Sequence, residues 1–457
     1  MPWSGHSGHS GICAWIKGGA ILERMVARKT VCLRRLGETR AGELQAGRFF
    51  ANPKVTTAKI IEGWSTRTGP ACAGRHILAI ADRSEVKFPT TAQRRRGLGP
   101  VKKGNAYGVL VQAMIAVDAG DGACLGLVGG EVWSRAGVNP VPHRKRPLEE
   151  RESVHWLHAA EQAKRLLQDA ALVTVVADRE ADAYPMWACV PQDGFHLLIR
   201  ARKDRCLQDG GMMYAAADKF APAGVRTIEL PAREPAQARR KVVVELRFGE
   251  VEICRPQDER DPALPRTLRL RMIEVKEQAP PAGMEAVHWR LLTTHAIADA
   301  AQAWMIVDWY RRRWIIEQMF RVMKTQGLQL EDSQLASAER LVKLAAVATK
   351  AACIDIQLTQ ERDGAHQLPA SVVFTEAEIE TLAALSPTLE GKTARQQNHH
   401  RPGSLAWAAW PIARLGGWNC YYKPPGPITF RHGMARFYAI HQGRLLATNP
   451  QRDVRIP

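Results

Sequence analysis

Leu172-Val173-Thr174-Val175-Val176-Ala177 runs directly into Asp178-Arg179-Glu180-Ala181-Asp182. A short apolar, β-branched run reads as a strand buried on both faces, where no alternation with polar residues is needed. Its last residue gives way to acids that open a helix. Asp178 therefore has two readings: an N-cap that satisfies the helix's first amides, or a site carboxylate at a strand tip. His76-Ile77-Leu78-Ala79-Ile80-Ala81 has the same shape and closes on Asp82. Two buried strands that each end in an acid make the frame α/β.

Working outward, Tyr107–Val117 and Cys124–Trp133 read as strands joined by the hairpin turn Asp118-Ala119-Gly120-Asp121-Gly122. The connection 89–106 carries Arg94-Arg95-Arg96 and Lys102-Lys103 among glycines and reads as a mobile basic loop. Residues 149–168 form a helix with Trp156, Leu157, Ala160 and Leu166-Leu167 on its apolar side. Phe195–Arg202 is a strand with Arg200 and Arg202 on one side. Between 206 and 287, the segments Val225–Leu230, Lys241–Phe248, Val251–Ile253 and Leu268–Val275 alternate apolar with polar residues between Pro/Gly/Asp turns. That pattern predicts an inserted, half-buried antiparallel sheet.

Residues 308–335 follow. Nothing before Gly327 breaks a helix in this stretch. At about 100° per residue, Tyr310, Arg313, Glu317 and Lys324 share an arc of about 60°, and Ile315, Ile316, Met319, Val322 and Met323 lie opposite. One reading is a solvated face with i,i+4 ion pairs. The other is an acid set between two bases and a phenol, which suits a site that holds metal beside phosphate. A long helix over Ser337–Arg362 packs back on the core, and 363–402 is linker-like.

Across 457 residues, 64 Lys and Arg against 46 Asp and Glu leave a formal charge of +18. An excess that large points to a polyanionic partner, nucleic acid first and an anionic membrane surface second. The nine cysteines are scattered and never spaced Cys-x2-Cys, which implies reduced thiols in a cytoplasm and no zinc site. Metal-ligand spacing among the fourteen histidines is also missing from this reading. There is no apolar run long enough to span a bilayer. Residues 1–23 read as a disordered tail rich in Pro, Gly, Ser and His.

The spacing Tyr310-x2-Arg313-x3-Glu317-x6-Lys324 and the block Asp178-Arg179-Glu180-Ala181-Asp182 resemble the signatures of the DDE transposases of bacterial insertion sequence family four. Arg48-Phe49-Phe50-Ala51-Asn52-Pro53-Lys54-Val55 resembles a segment of that family's N-terminal DNA-binding domain, and Gly403–Gly417 its C-terminal dimerisation domain. The resemblance implies a ribonuclease-H-like catalytic core over 71–362 with the β insertion at about 206–287. It also implies an N-terminal helical domain at 24–70 and a C-terminal helical domain within 363–457.

On the same basis Asp82, Asp178 and Glu317 are the catalytic, metal-binding acids, holding two Mg²⁺ (or Mn²⁺) ions. Tyr310, Arg313, Lys324, Arg200, Arg202, Trp289 and Trp314 are candidates for phosphate or DNA contact. Trp289, 28 residues before Glu317, matches the family's base-stacking tryptophan. The implied reaction is cut-and-paste transposition through a hairpin, on double-stranded DNA at transposon ends and target. It would be carried out by a homodimer in the DNA complex, in a bacterial cytoplasm and without membrane association. Two departures stand out. The resemblance fades before about residue 30, and Asp82 is followed by Arg83-Ser84-Glu85 where the family commonly has Thr-Thr. They leave two alternatives, a decayed copy that binds DNA without cutting and a structure-selective nuclease.

The charge excess and the clusters at 94–96, 102–103, 144–146 and 311–313 predict salt-sensitive DNA binding. Affinity measured by fluorescence anisotropy should fall by orders of magnitude between about 50 and 200 mM salt, as phosphate contacts release counterions. A flat response would count against a DNA partner.

Overall fold

A computed structural model describes residues 9–88, 97–101, 106–135, 146, 148–230, 240–259, 261–281 and 283–448. Ten strands form one mixed sheet: β1 (His76–Phe88), β2 (Gly99–Pro100), β3 (Tyr107–Asp118), β4 (Cys124–Trp133), β5 (Leu172–Ala177), β6 (Phe195–Arg200), β7 (Pro222–Leu230), β8 (Arg240–Cys254), β9 (Thr267–Glu277) and β10 (His288–Thr293). Their order is β2-β3-β1-β5-β6-β10-β9-β8-β7, with β4 paired to β3. β1, β5 and β6 are mutually parallel and every other pairing is antiparallel. The inserted strands β7–β9 therefore extend the main sheet through β10.

Before β1 come α1 (His9–Arg28), α2 (Leu33–Gly37), α3 (Arg40–Ala51), α4 (Thr57–Glu62) and α5 (Thr68–Cys72). Within the sheet region lie α6 (Val154–Leu166), α7 (Tyr184–Cys189), α8 (Met213–Asp218), α9 (Ala300–Arg311) and α10 (Trp314–Arg321). After it come α11 (Ala338–Gln360), α12 (Glu376–Leu389), α13 (Leu405–Leu415) and α14 (Pro427–Thr448). α6 and α11 pack against β3 and β4, α10 against β1, and α9 against β5 and β6. This cover is why Ile77–Ala81, Val109–Val117 and Val173–Ala177 are buried without alternation.

Four expectations change. Residues 1–23 do not read as a tail from His9 onward, where α1 begins. Ile21 and Met25 are one turn apart, and with Val26 and Ala27 they are buried; Lys29, just past the helix, pairs with buried Asp355 of α11 at 2.6 Å. The apolar spacing outweighs the Gly/Ser-rich start. The strand at His76 does not end at Asp82, because the hairpin with β3 carries it on to Phe88. Lys241–Phe248 and Val251–Ile253 are one strand; Gly249 does not interrupt it, since the Phe220 ring lies where its Cβ would be. The linker-like segment contains α12, started by a reciprocal cap between Thr375 and Glu378.

The Arg48–Val55 block packs inward. Phe50 is fully buried, and the Lys343 ammonium of α11 donates to the carbonyls of Asn52 (3.0 Å) and Phe50 (3.3 Å). Leu405, Trp407, Trp410 and Ile412 of α13 are buried in the chain itself, with α12 and α14 packed on that helix. They are therefore not an exposed apolar stripe. The basic loop residues Arg94–Arg96 and Lys102–Lys103, and residues 144–145, lie outside the described residues. No helix among the described residues is long and apolar enough to cross a membrane.

At the amino end of the parallel strands, Thr174 Oγ1 lies 2.9 Å from His76 Nε2 and 2.8 Å from His295 Nε2, and His196 stacks on His295. Burial pushes His76 down to about 4 and His295 to about 3, and lowers His196 as well. The unfolded chain takes up these protons near pH 6.5. The stability held by the neutral rings is thus complete above about 6.5 and is lost as pH falls toward 4 and then 3. The urea midpoint should drop between pH 7 and pH 5. His76→Asn/His295→Asn should flatten that drop, and an unchanged slope in this variant would contradict the assignment.

Candidate active site

The last paired residues of parallel β1 and β5 are Ile80 and Val176. Asp82 and Asp178 each lie two residues further on, so strand register alone brings them abreast at one end of the sheet. β5 stops there because Asp178 caps a single 3₁₀ turn, Arg179–Ala181, its Oδ1 accepting from the Glu180 amide at 2.8 Å. The capping reading thus holds, and it occupies one oxygen of the carboxylate. Asp82 Oδ1 accepts from the Arg83 amide at 2.8 Å, and its Oδ2 faces Arg313 Nη1 at 3.1 Å.

Arg313 also bonds Glu317 Oε1 through Nη2, an i,i+4 pair across the first turn of α10. One guanidinium therefore joins a carboxylate from β1 to one from α10. Asp178 adds its charge to the field at Asp82, Tyr310 and Arg313. Burial, followed by the neighbouring carboxylates, pushes Asp82 up to about 7 despite Arg313 beside it. Burial alone would lower Arg313; Tyr310 and the three acids hold it above its usual value.

The helix expected to run unbroken to Gly327 is interrupted. α9 ends at Arg311 and α10 starts at Trp314. Between them the amides of Arg313, Ile315 and Ile316 bond three residues back, at 3.0–3.2 Å, tightening the chain to 3₁₀ geometry. Arg312 is drawn to the β3–β4 hairpin, donating to the carbonyls of Asp118 (2.6 Å) and Gly120 (2.8 Å). Val322–Gln326 then widens into a π turn that carries Lys324. Periodicity does not reveal either change, since both keep the helical hand.

Tyr310 is accordingly buried, at 5% exposure, rather than presented. Its ring meets Trp289 edge-on with centroids 5.9 Å apart and lies 5.9 Å from the Arg313 guanidinium. Arg200 joins this cluster through the Tyr310 hydroxyl and donates to the His288 carbonyl at 2.8 Å. Lys324 is half-buried and lines an open cleft with Arg83, Glu85, Lys87, Glu180 and Glu331. Trp289 and Trp314 are half-buried, so each packs with part of its ring and leaves part accessible.

Arg202 is not beside Arg200. β6 ends at Arg200, and the Arg202 amide donates to Asp182 (2.8 Å) while its side chain lines an adjoining cleft with Arg151, Glu152, Lys203 and Arg205, which shares Arg83 and Glu180 with the first. Asp182, the last acid of the 178–182 block, is structural. It is buried and takes bonds from Trp187 Nε1 (3.0 Å) and Arg205 (2.5 Å).

Two groups escaped the sequence reading. Arg83, beside Asp82, bridges Glu152 (2.8 Å) and Glu180 (2.5 Å). His155 and His158, which carried no metal-ligand spacing in that reading, do come together with Glu131. The signal was their separation of three residues on a predicted helix, which needed Glu131 from a distant strand to become visible.

The donor set at Asp82, Asp178 and Glu317 is all carboxylate oxygen, and two of these groups already share a guanidinium's positive charge. That fits a hard divalent cation such as Mg²⁺ or Mn²⁺.

Residues 149–354 match the family described as "Transposase DDE domain", a span that includes Asp178 and Glu317 and begins after Asp82. Among solved structures, the chain is similar to one titled "Cryo-EM structure of piggyBac transposase synaptic complex with hairpin DNA", with 9% identity and a TM-score of 0.41, covering 99% of this chain and 76% of that one.

The two aspartates of the 178–182 block should separate by experiment. Asp182→Ala leaves Arg205 buried without its partner and should cost about 3–5 kcal/mol in urea unfolding. Asp178→Asn keeps an oxygen for the Glu180 amide and should cost less than about 1 kcal/mol. Equal losses would remove the distinction.

Proposed function

We propose that this chain is a cut-and-paste DNA transposase with a ribonuclease-H-like core. The observation that carries the reading is the meeting of Asp82, from β1, and Glu317, from α10, on Arg313, with Asp178 abreast of Asp82 by strand register. The strand order β4-β3-β1-β5-β6, antiparallel then parallel about a central β1, supports such a core. So does the domain match over 149–354.

In this reading Asp82, Asp178 and Glu317 would hold two Mg²⁺ or Mn²⁺ ions, which would supply activation of the oxygen nucleophile and charge stabilisation of the leaving oxygen in phosphoryl transfer. The protein's own groups bind and orient. Arg313 swings from the carboxylates to a phosphate, where its fork geometry suits two oxygens at once. Lys324 acts on a neighbouring phosphate as a point charge from the open cleft. Tyr310, buried between Arg200 and Arg313, keeps that swing beside the carboxylates. The accessible part of Trp289 is the platform for a base extruded from a hairpin.

The helices α2–α5 would bind transposon ends, and the region after α11 would pair two DNA-bound chains. Tyr422 and Ile428, 84% and 66% exposed, are apolar surface available for that pairing. The Arg83 bridge to Glu180, next to Asp178, favours as second reading a copy that binds DNA without cutting.

Glu317→Gln removes the charge and keeps the shape. Mg²⁺-dependent cleavage of end-containing duplex should fall more than about 100-fold, while DNA affinity stays within about tenfold, or 1.4 kcal/mol. A variant that cuts normally would return Glu317 to a solvated helix face. A wild-type chain that binds but never cuts would favour the second reading.

A further inference from the structure

We propose that Glu131, His155 and His158 bind one divalent transition-metal ion of the zinc class, at a site separate from the three carboxylates. Glu131 stands on β4, and the two histidines stand three residues apart on the facing side of α6. The carboxylate already spans both rings, Oε2 to His155 Nδ1 and Oε1 to His158 Nδ1, the latter at 2.9 Å. One ligand atom from each residue lies within 4.8 Å of the others. Tetrahedral bonds of about 2.0–2.1 Å place ligand atoms roughly 3.4 Å apart, so closure on an ion takes a small side-chain rotation and no backbone movement. Two imidazoles and a carboxylate are a borderline set that favours zinc, cobalt or nickel over magnesium.

The packing around the cluster is rigid. A Cβ on Gly129 would lie 3.1 Å from the Ala159 carbonyl of α6, so helix and strand are in close contact here. The Gly130 amide donates to Gln162 at 2.8 Å, pinning the next turn of the helix. Trp133 stacks on His155 with centroids 3.7 Å apart and fixes the plane of that ring. The His158 side chain is 53% exposed, so the cluster opens to solvent on that side, and water can complete a three-ligand site. Just before α6, Glu152 bonds Arg83 and Arg135, and Arg83 follows Asp82. An ion here would clamp α6 to β4 and so steady the arginine beside the candidate active site.

The test uses tag-free, full-length protein stripped of metal. Zinc is titrated in competition with a chromophoric chelator, in millimolar Mg²⁺. The expected result is one equivalent bound with a Kd at or below about 10 μM, a higher thermal midpoint with zinc, and a visible absorption band when cobalt replaces it. His158→Gln, exposed enough to leave the fold intact, and Glu131→Gln should weaken zinc by more than the roughly 10–100-fold that loss of an outer partner costs. Asp178→Asn should bind zinc as the wild type does. Failure of the wild type to bind one zinc would overturn the proposal, as would unchanged affinity in both cluster variants or loss of zinc in Asp178→Asn. All three results are read from zinc binding alone, and DNA cleavage is measured separately.

Discussion

Carboxylates from separate parts of a chain repel one another when folding brings them together, and this fold is arranged around that problem. β1 and β5 are held in parallel register by buried apolar residues, and the register leaves Asp82 and Asp178 abreast. Glu317 arrives from α10. Arg313, at the tightened turn between α9 and α10, answers part of the charge by bonding Asp82 and Glu317 together. What remains is visible at Asp82, pushed up to about 7 by burial and its acidic neighbours. A site strained in this way suits cations better than it suits empty solvent.

The rest of the structure follows from holding these pieces still. The break after α9 lets Arg313 turn toward β1, and Arg312, bonded to the β3–β4 hairpin, fixes the break. Tyr310 is buried behind Arg313 and met by Arg200 from β6 and Trp289 from β10. Strands on both sides of the inserted β7–β9 segment therefore support the same arginine. Asp182 holds the end of the turn by tying it to Arg205 and Trp187, while Asp178 caps its start with one oxygen.

Much of this was legible in the sequence. The apolar runs at 77–81 and 172–177 gave buried strands, and their parallel register came only with the fold. Glu317 and Arg313, four residues apart, gave an ion pair on one helix face. The linker that contains α12 carried a local signal, the Thr375–Glu378 cap, whereas the tail that became α1 and the Gly249 within β8 were hidden for one reason. Local composition signals flexibility or a turn, and distant packing overrides it. Lys29 on Asp355 and Phe220 on Gly249 are contacts between residues far apart in the chain. The burial of Tyr310 was hidden differently: a helical wheel assumes one constant turn angle, and the chain tightens at Arg312 and widens after Val322. The Glu131 cluster needed the β4–α6 contact, which no spacing encodes.

The central claim is that Asp82, Asp178 and Glu317 form one cation site. Its most direct test is a crystal structure of the full chain grown with Mn²⁺, with the ions located by anomalous scattering. The account predicts manganese within bonding distance of carboxylate oxygens from all three residues, with Arg313 turned away from Asp82 and Glu317. Manganese bound elsewhere, or any one of the three carboxylates more than about 10 Å from the other two when two-metal sites span only about 4 Å, would contradict it.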